Sequence, residues 1–440
     1  MLSELMVYKE SITLMNEYQI TTTPRHHQLT NINVWTPDSQ WLVYDVRPQG
    51  ASFTGKTIEK IHVNTTEIRE IYRGTAGACV GVVTVSPELP VRYAFIRGPL
   101  NPDQQWQYDF HHRQGVIVSD DVPGVAHNID AFCITPPYQP GALRGGTHVH
   151  VFSPDGEWLS FTYNDHVLHE RDPALDLRNV AVAVPLHPVC TGKHHPREYD
   201  GEFFCCVVSR TTPVPQPGSD EISRAYEEGW IGEQGYLRAD GSRQRRAIAF
   251  IGDTRSENDE VIPEIFRLDL PERPEDYAVA GDLPLEGTDS TMPAPPAGVS
   301  QTRLTFTHHR RYPGLAKQPR FWLRSSPQGD KIAFLMQDDQ GIVQLWTISP
   351  LGGEVHQVTS GSDSIESAFS WDSTGRYLTF VRKGLVMVCC AETGVCRAVT
   401  APSAEPVSGD AVVFSPDNSR VAFLRRTNGW QQIWVADTGL

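Results

Sequence analysis

The feature that most constrains this chain is a degenerate motif that keeps returning: an apolar run, a Ser/Thr-Pro-Asp-Gly-like tetrapeptide, then a second apolar run. Thr36-Pro37-Asp38-Ser39 precedes Trp41-Leu42-Val43-Tyr44, and Ser153-Pro154-Asp155-Gly156 precedes Trp158-Leu159-Ser160-Phe161. Ser415-Pro416-Asp417-Asn418 precedes Val421-Ala422-Phe423-Leu424, and weaker copies begin at Ser86, Ser326 and Ser370. Proline presets φ, and Asp followed by Gly or Asn tolerates a reversal, so each copy reads as a tight turn between two strands. Such hairpins must stack to bury their faces. The closing intervals match the roughly 40–45 residues of a four-stranded propeller blade.

The gap from Ser153 to Ser326 suits two blades, with residues 203–208 and 247–251 expected to pair as an inner hairpin. Seven blades result. The last copy stops at Asp437-Thr438-Gly439 before a fourth strand, and Gln28-Leu29-Thr30 is expected to complete that blade and close the ring. The reading is an all-β, seven-bladed β-propeller over residues 1–440 as one domain, with insertions near 98–115, 164–246 and 270–300. Within the second insertion, a Pro-rich approach at 211–218 leads to an expected short helix over 219–228, with Ser219 or Asp220 as N-cap.

Charge and cysteine usage exclude several classes. A formal net charge of -15 argues against a nonspecific nucleic-acid binder and offers no polybasic handle for a membrane. No apolar stretch is long enough to span a bilayer. Residues 1–20 carry Glu4, Glu10 and Glu17 and lack the pattern of a signal peptide. The eight cysteines form no Cys-x-x-Cys, which argues against a thiolate zinc site and for a cytoplasmic location. Cys205-Cys206 and Cys389-Cys390 should point to opposite faces of their strands, and Cys390 and Cys396 could face one another across a hairpin.

Chemistry centres on Gly145-Gly146-Thr147-His148-Val149-His150, which enters the third blade's inner strand. Strand alternation puts His148 and His150 on one face, where two imidazoles suit a divalent first-row metal; the alternative is a pair hydrogen-bonded to neighbouring blades. Histidine doublets occur at His26-His27, His111-His112, His194-His195 and His308-His309. His195 with Arg197, and His309 with Arg310, would supply general bases and carboxylate-holding guanidinium groups at a locally basic mouth. Acidic candidates at inner-strand entries are Asp130, Asp200, Glu366 and Asp410. Any one doublet also reads as a solvated loop, and a buried Asp also reads as a turn cap.

The Phe-Ser-Pro-Asp-Gly repeats resemble those of the Tol-system translocation protein. Three stretches resemble an uncharacterised enterobacterial propeller family carrying a domain of unknown function: Thr22 through Asn31, Arg144 through Pro154, and Leu304 through His309. The chain also distantly resembles the cytoplasmic oligogalacturonate lyases, seven-bladed propellers that hold a manganese-type ion through histidines including a His-x-His pair. That resemblance implies a manganese-type divalent metal on His148 and His150, and β-elimination on an anionic sugar. Against it stands a ligand-binding propeller that performs no turnover, taking an anionic sugar, another small ligand or a protein partner.

Overall fold

The computed structural model describes residues 16–48 and 52–440. The reading of residues 1–20 as lacking a signal peptide therefore falls largely outside the described residues. Six four-stranded antiparallel sheets and one three-stranded sheet follow one another along the chain. Blade 1 comprises Trp41–Asp45, Thr57–His62 and Ile68–Arg73, with residues 28–35 bridged to its inner edge at Gln28–Asp45 and Trp35–Leu42. Blade 2 runs from Val80–Val85 to His127–Asn128, and blade 3 from Gly145–Phe152 to Phe204–Val207. Blade 4 runs from Ala225–Trp230 to Ser300–Arg303, blade 5 from Leu323–Ser325 to His356–Gln357, and blade 6 from Ser370–Trp371 to Cys396–Ala398. Blade 7 holds Val407–Phe414, Arg420–Thr427 and Trp430–Asp437, and Glu17–Gln19 adds its fourth strand.

The recurring turns behave as their chemistry requires. Each leading hydroxyl donates to the Asp carboxylate: Thr36 to Asp38 at 2.6 Å, Ser153 to Asp155 at 2.5 Å, Ser415 to Asp417 at 2.6 Å. In blade 3 the Gly156 N–H closes the turn on the Ser153 carbonyl at 2.8 Å, and its φ of 72° is one that a side chain would disfavour.

The core is divided among the seams. Each of the seven apolar clusters joins one blade to the next, and the cluster of Leu42, Tyr44, Ala422 and Leu424 joins blade 7 back to blade 1. Central strands are therefore apolar on both faces. Along Ala247–Arg255, Ile248 and Phe250 enter the seam with blade 3, while Ala249 and Ile251 enter the seam with blade 5. The same alternation sends Cys205 and Cys206 to different seams.

Four expectations change in detail. The closing strand is Glu17–Gln19, and Gln28 instead pairs with Asp45 at the start of blade 1. Phe204–Val207 is the outermost strand of blade 3, so it does not pair with Ala247–Arg255; that partner is Ala225–Trp230. Ala225–Trp230 also replaces the helix expected over 219–228, because the next blade needs an inner strand there and the apolar Ala225 and Tyr226 are drawn into it. Cys396 faces Cys389, not Cys390. Among the described residues the α-helix is α1, His166–Arg171, in the connection between the second and third strands of blade 3. No helix of the described residues is long and apolar enough to cross a membrane.

Candidate functional site

Four inner strands break register at a corresponding place. Bulges fall between Gly81 and Thr84, His148 and Val151, Tyr226 and Gly229, and Val407 and Val412. Each carries a non-glycine residue with left-handed backbone: Val82 (φ 61°), Val149 (55°), Glu227 (54°) and Ala411 (40°). For a β-branched valine that conformation costs on the order of 1–3 kcal/mol, so the surrounding structure must hold it. A bulge re-aims the side chains beside it.

The bulges surround a central cavity of about 480 Å³, lined by Val82, Val149, Glu227 and Asp410 together with charged groups from other blades. Four arginines lie on its wall: Arg47, Arg178, Arg320 and Arg324. Arg47 is paired with the buried Asp45 at 2.5 Å, and Arg320 approaches Glu227 at 3.5 Å. Arg178 and Arg324 make no ion pair among the described residues. Arg178 donates to Thr162 Oγ1 at 2.5 Å, and Arg324 donates to the Leu323 carbonyl at 2.6 Å while stacking on Trp322 at 3.7 Å. The Nε of each is buried without a partner. Burial lowers both guanidinium groups to about 10, still fully charged at neutral pH.

Glu227 attracts both guanidinium groups from a distance while it approaches Arg320, and two further neighbours add little compensating charge. Burial pushes Glu228 up to about 8, against the opposing pull of Arg324 and Arg178, so its carboxyl is mostly neutral at pH 7. His148 lines the wall with Nδ1 unpartnered; burial first, then Arg113 and Arg178, drive its pKa well below the ordinary value and keep it uncharged.

His148 and His150 do not share a face. The bulge sets Val149 and His150 together opposite Phe161, while His148 pairs with Thr162. His150 turns away into the seam with blade 2, where its Nε2 meets Thr147 Oγ1 at 2.9 Å and its ring occupies the place a Cβ on Gly115 would take. Burial lowers His150 to about 3. Asp130, also pushed up by burial to about 7, sits in that seam against Thr147 and Tyr199. The two histidines thus offer no common chelate, and the described residues bring no third ligand to them.

The other named candidates, Asp410 excepted, lie outside the cavity wall. Arg197 is held by Asp103 at 2.6 Å and by the carbonyls of Leu100 and Asn101, with His195 beside Trp106. Arg310 lies over Trp346 and donates to the Gln337 carbonyl; His309 is exposed against His308. Asp200 pairs with Lys193, and Glu366 caps a turn by accepting from the N–H groups of Lys383 and Gly384. Of the acidic candidates, Asp410 reaches the cavity.

One group among the described residues could hold a metal: His111, His169 and Asp176. His111 Nε2 lies 2.6 Å from Asp176 Oδ2, and the His111 and His169 rings stack at 3.8 Å. Burial works against the His111 imidazolium, but Asp109 and Asp176 outweigh it and raise His111 to about 9. His112 and His166 flank the group, 3.3 Å apart, with Trp106 stacked on His112 at 3.7 Å.

Fold and site define a seven-bladed propeller with an arginine-lined central cavity. Across 420 residues, 96% of each chain, the sequence is 56% identical to the uncharacterized protein YidR of Escherichia coli (strain K12). Residues 79–199 match a family described as a protein of unknown function, DUF3748. The chain belongs to the YidR family. Among solved structures it is similar to an oligogalacturonate lyase in complex with manganese, with TM-score 0.54, 13% identity and 96% of each chain covered. It is likewise similar to an oligogalacturonate lyase from Vibrio parahaemolyticus, with TM-score 0.57, 11% identity, and 97% of this chain and 94% of that one covered. At such identities the likeness is one of fold.

Proposed function

We propose that this protein is a ligand-binding propeller whose central cavity takes a small anionic ligand of the sugar-acid (uronate) class. One observation carries the reading: Arg178 and Arg324 face a cavity of about 480 Å³ as charged groups that make no ion pair among the described residues and have an unsatisfied Nε each. A buried guanidinium without a directly paired carboxylate is costly, and a carboxylate entering the cavity would meet its planar fork with two donors. Trp322, buried beneath Arg324 and near Arg320, braces these guanidinium groups at the wall. The volume suits a small molecule rather than a chain.

Calorimetric titration with digalacturonate and with a neutral disaccharide of the same size tests this. The acidic sugar should bind, the neutral one should not, and Arg178→Ala and Arg324→Gln should each weaken binding about tenfold or more. Equal binding of both sugars, or unchanged affinity in both variants, rejects the proposal. Binding of neither sugar rejects it as well and turns attention to a protein partner.

A second reading, an oligogalacturonate-lyase-like enzyme acting by β-elimination, is favoured by the whole-length likeness of fold to two such lyases. The manganese-type ion this would use does not fit His148 and His150 as placed, because the bulge parts them. The lyase reading is therefore left without a metal-borne step. His195 and His309 would also have to reach the cavity to act as bases. Incubation with oligogalacturonate, followed by ultraviolet absorbance of an unsaturated uronide, decides between turnover and binding alone.

A further inference from the structure

We infer that His111, His169 and Asp176 form a binding site for a divalent transition metal where the loops of blades 2 and 3 meet, outside the central cavity. Their ligand atoms all lie within 4.8 Å of one another. Asp176 Oδ2 is 2.6 Å from His111 Nε2 and 4.0 Å from His169 Nδ1. Bonds of about 2.0–2.2 Å place the ligands of a tetrahedral ion roughly 3–3.5 Å apart, so one contact opens and the other closes by less than about 1 Å. Coordination also requires the His111 and His169 rings, stacked 22° from parallel, to turn toward one ion.

The ligands come from two loops, His111 from blade 2 and both His169 and Asp176 from one connection of blade 3, and each has its own hydrogen-bonded support. His111 follows Asp109, whose carboxylate accepts from the N–H groups of His111 and His112 and lies 3.4 Å from His111 Nδ1. A carboxylate behind the far nitrogen of a ligating imidazole is the usual way to fix its tautomer and aim. His169 sits on α1, which Asp165 caps by accepting from the Leu168 N–H at 2.8 Å. Asp165 is anchored in turn by Arg144 at 2.8 Å. Asp176 receives Asn164 Nδ2 on both oxygens, at 3.0 and 3.2 Å. His169 Nδ1 is buried without a hydrogen-bond partner although it points toward this carboxylate, which is the position an ion would satisfy.

Two imidazoles and one carboxylate favour zinc, cobalt, nickel or iron(II) over magnesium or calcium, and three protein ligands leave a coordination position open. Its place relative to the cavity is also informative. Asn164 follows the cavity-lining Thr162 by two positions on one strand, and Asp176 precedes the cavity-lining Arg178 by two. The ion would thus stand beside the arginine-lined cavity, and its existence does not depend on what that cavity binds.

The test is titration of the chelator-stripped full-length protein with Co²⁺, read by visible absorption, with zinc competition and elemental analysis after reloading. About one equivalent should bind with the intense bands of low-coordinate cobalt. His169→Ala and Asp176→Asn should each weaken binding about 100-fold, and a His148→Ala/His150→Ala double variant should bind as the parent does. The His169 side chain is 34% exposed, so its loss should leave the melting temperature of the metal-free protein unchanged. Asp176→Asn supplies an isosteric second variant. Absence of cobalt binding, binding unchanged in both single variants, or loss in the double variant alone overturns the assignment.

Discussion

The seam strand Ala247–Arg255 and the channel strand Gly145–Phe152 lie in adjoining blades and obey opposite rules. The first alternates strictly, sending Ile248 and Phe250 one way and Ala249 and Ile251 the other, with all four fully buried. The second abandons alternation at Val149, at the cost of a left-handed valine, and in doing so separates His148 from His150. The seams on either side of Ala247–Arg255 are filled by apolar packing, so periodicity describes this strand. The channel wall departs from periodicity where it presents polar groups inward, and four blades do so at a corresponding level.

The largest effect that would break this contrast lies in a seam. Phe250→Ala removes a fully buried ring between blades 3 and 4, stacked on Phe266 at 5.5 Å. It should cost about 3–5 kcal/mol, read as a lowered midpoint in denaturant. A loss below about 1 kcal/mol would mean that the seam collapses around the void, and that blade packing is less specific than the alternation implies.

A paired substitution on the channel strand sharpens the contrast. Val151 is 3% exposed beyond the bulge and in regular register, so Val151→Ala should destabilise by about 1–3 kcal/mol. Val149→Gly, two residues earlier, should be neutral within about 1 kcal/mol, because relief of its φ of 55° offsets the lost side chain and the added freedom of the unfolded chain. Equal losses at the two positions would show that the bulge stores no strain. A loss confined to Val151, with weakened ligand binding at Val149, would mark the bulge as a functional feature.

The same contrast sets how much could be read from sequence. Turn chemistry survives in single residues, so Ser153-Pro154-Asp155-Gly156 and its copies located most blades without any knowledge of packing. Blade 4 lacks the motif. Its turn is an excursion over residues 231–246 carrying a small hairpin, Tyr236–Leu237 with Arg243–Gln244. Its inner strand, Ala225-Tyr226-Glu227-Glu228-Gly229-Trp230, has its alternation broken by a bulge, and Ser219-Asp220-Glu221 ahead of it reads as a helix start that runs on through Glu228. That misreading hid Glu227 and Glu228. Arg178, Arg320 and Arg324 were illegible for another reason: Arg178 stands before the third strand of blade 3 and the other two at the entry of blade 5, and only ring closure brings them to one wall. The one available signal was local, Arg324 standing two positions before the turn that begins at Ser326.

Glu228 gives the smallest and most diagnostic effect. Its carboxyl rises from an ordinary 4.5 to about 8, chiefly through burial, with Arg324 and Arg178 pulling it down and Glu227 pushing it up. His148, Arg47, Arg320 and Asp410 complete the charged and titratable groups on the cavity wall. Because the folded state keeps a proton that the unfolded chain gives up above pH 4.5, stability is fullest below that value and declines as pH rises through about 8. Between pH 7 and pH 8 the loss should be about 1 kcal/mol, and Glu228→Gln should abolish it. Ionisation also adds a negative charge beside Arg324, so affinity for an anionic ligand should fall across the same interval in the parent and stay level in the variant. A parent whose stability and affinity are both flat from pH 6 to pH 9 would show that Glu228 is already charged, and that the cavity wall is closer to neutral than its arginines suggest.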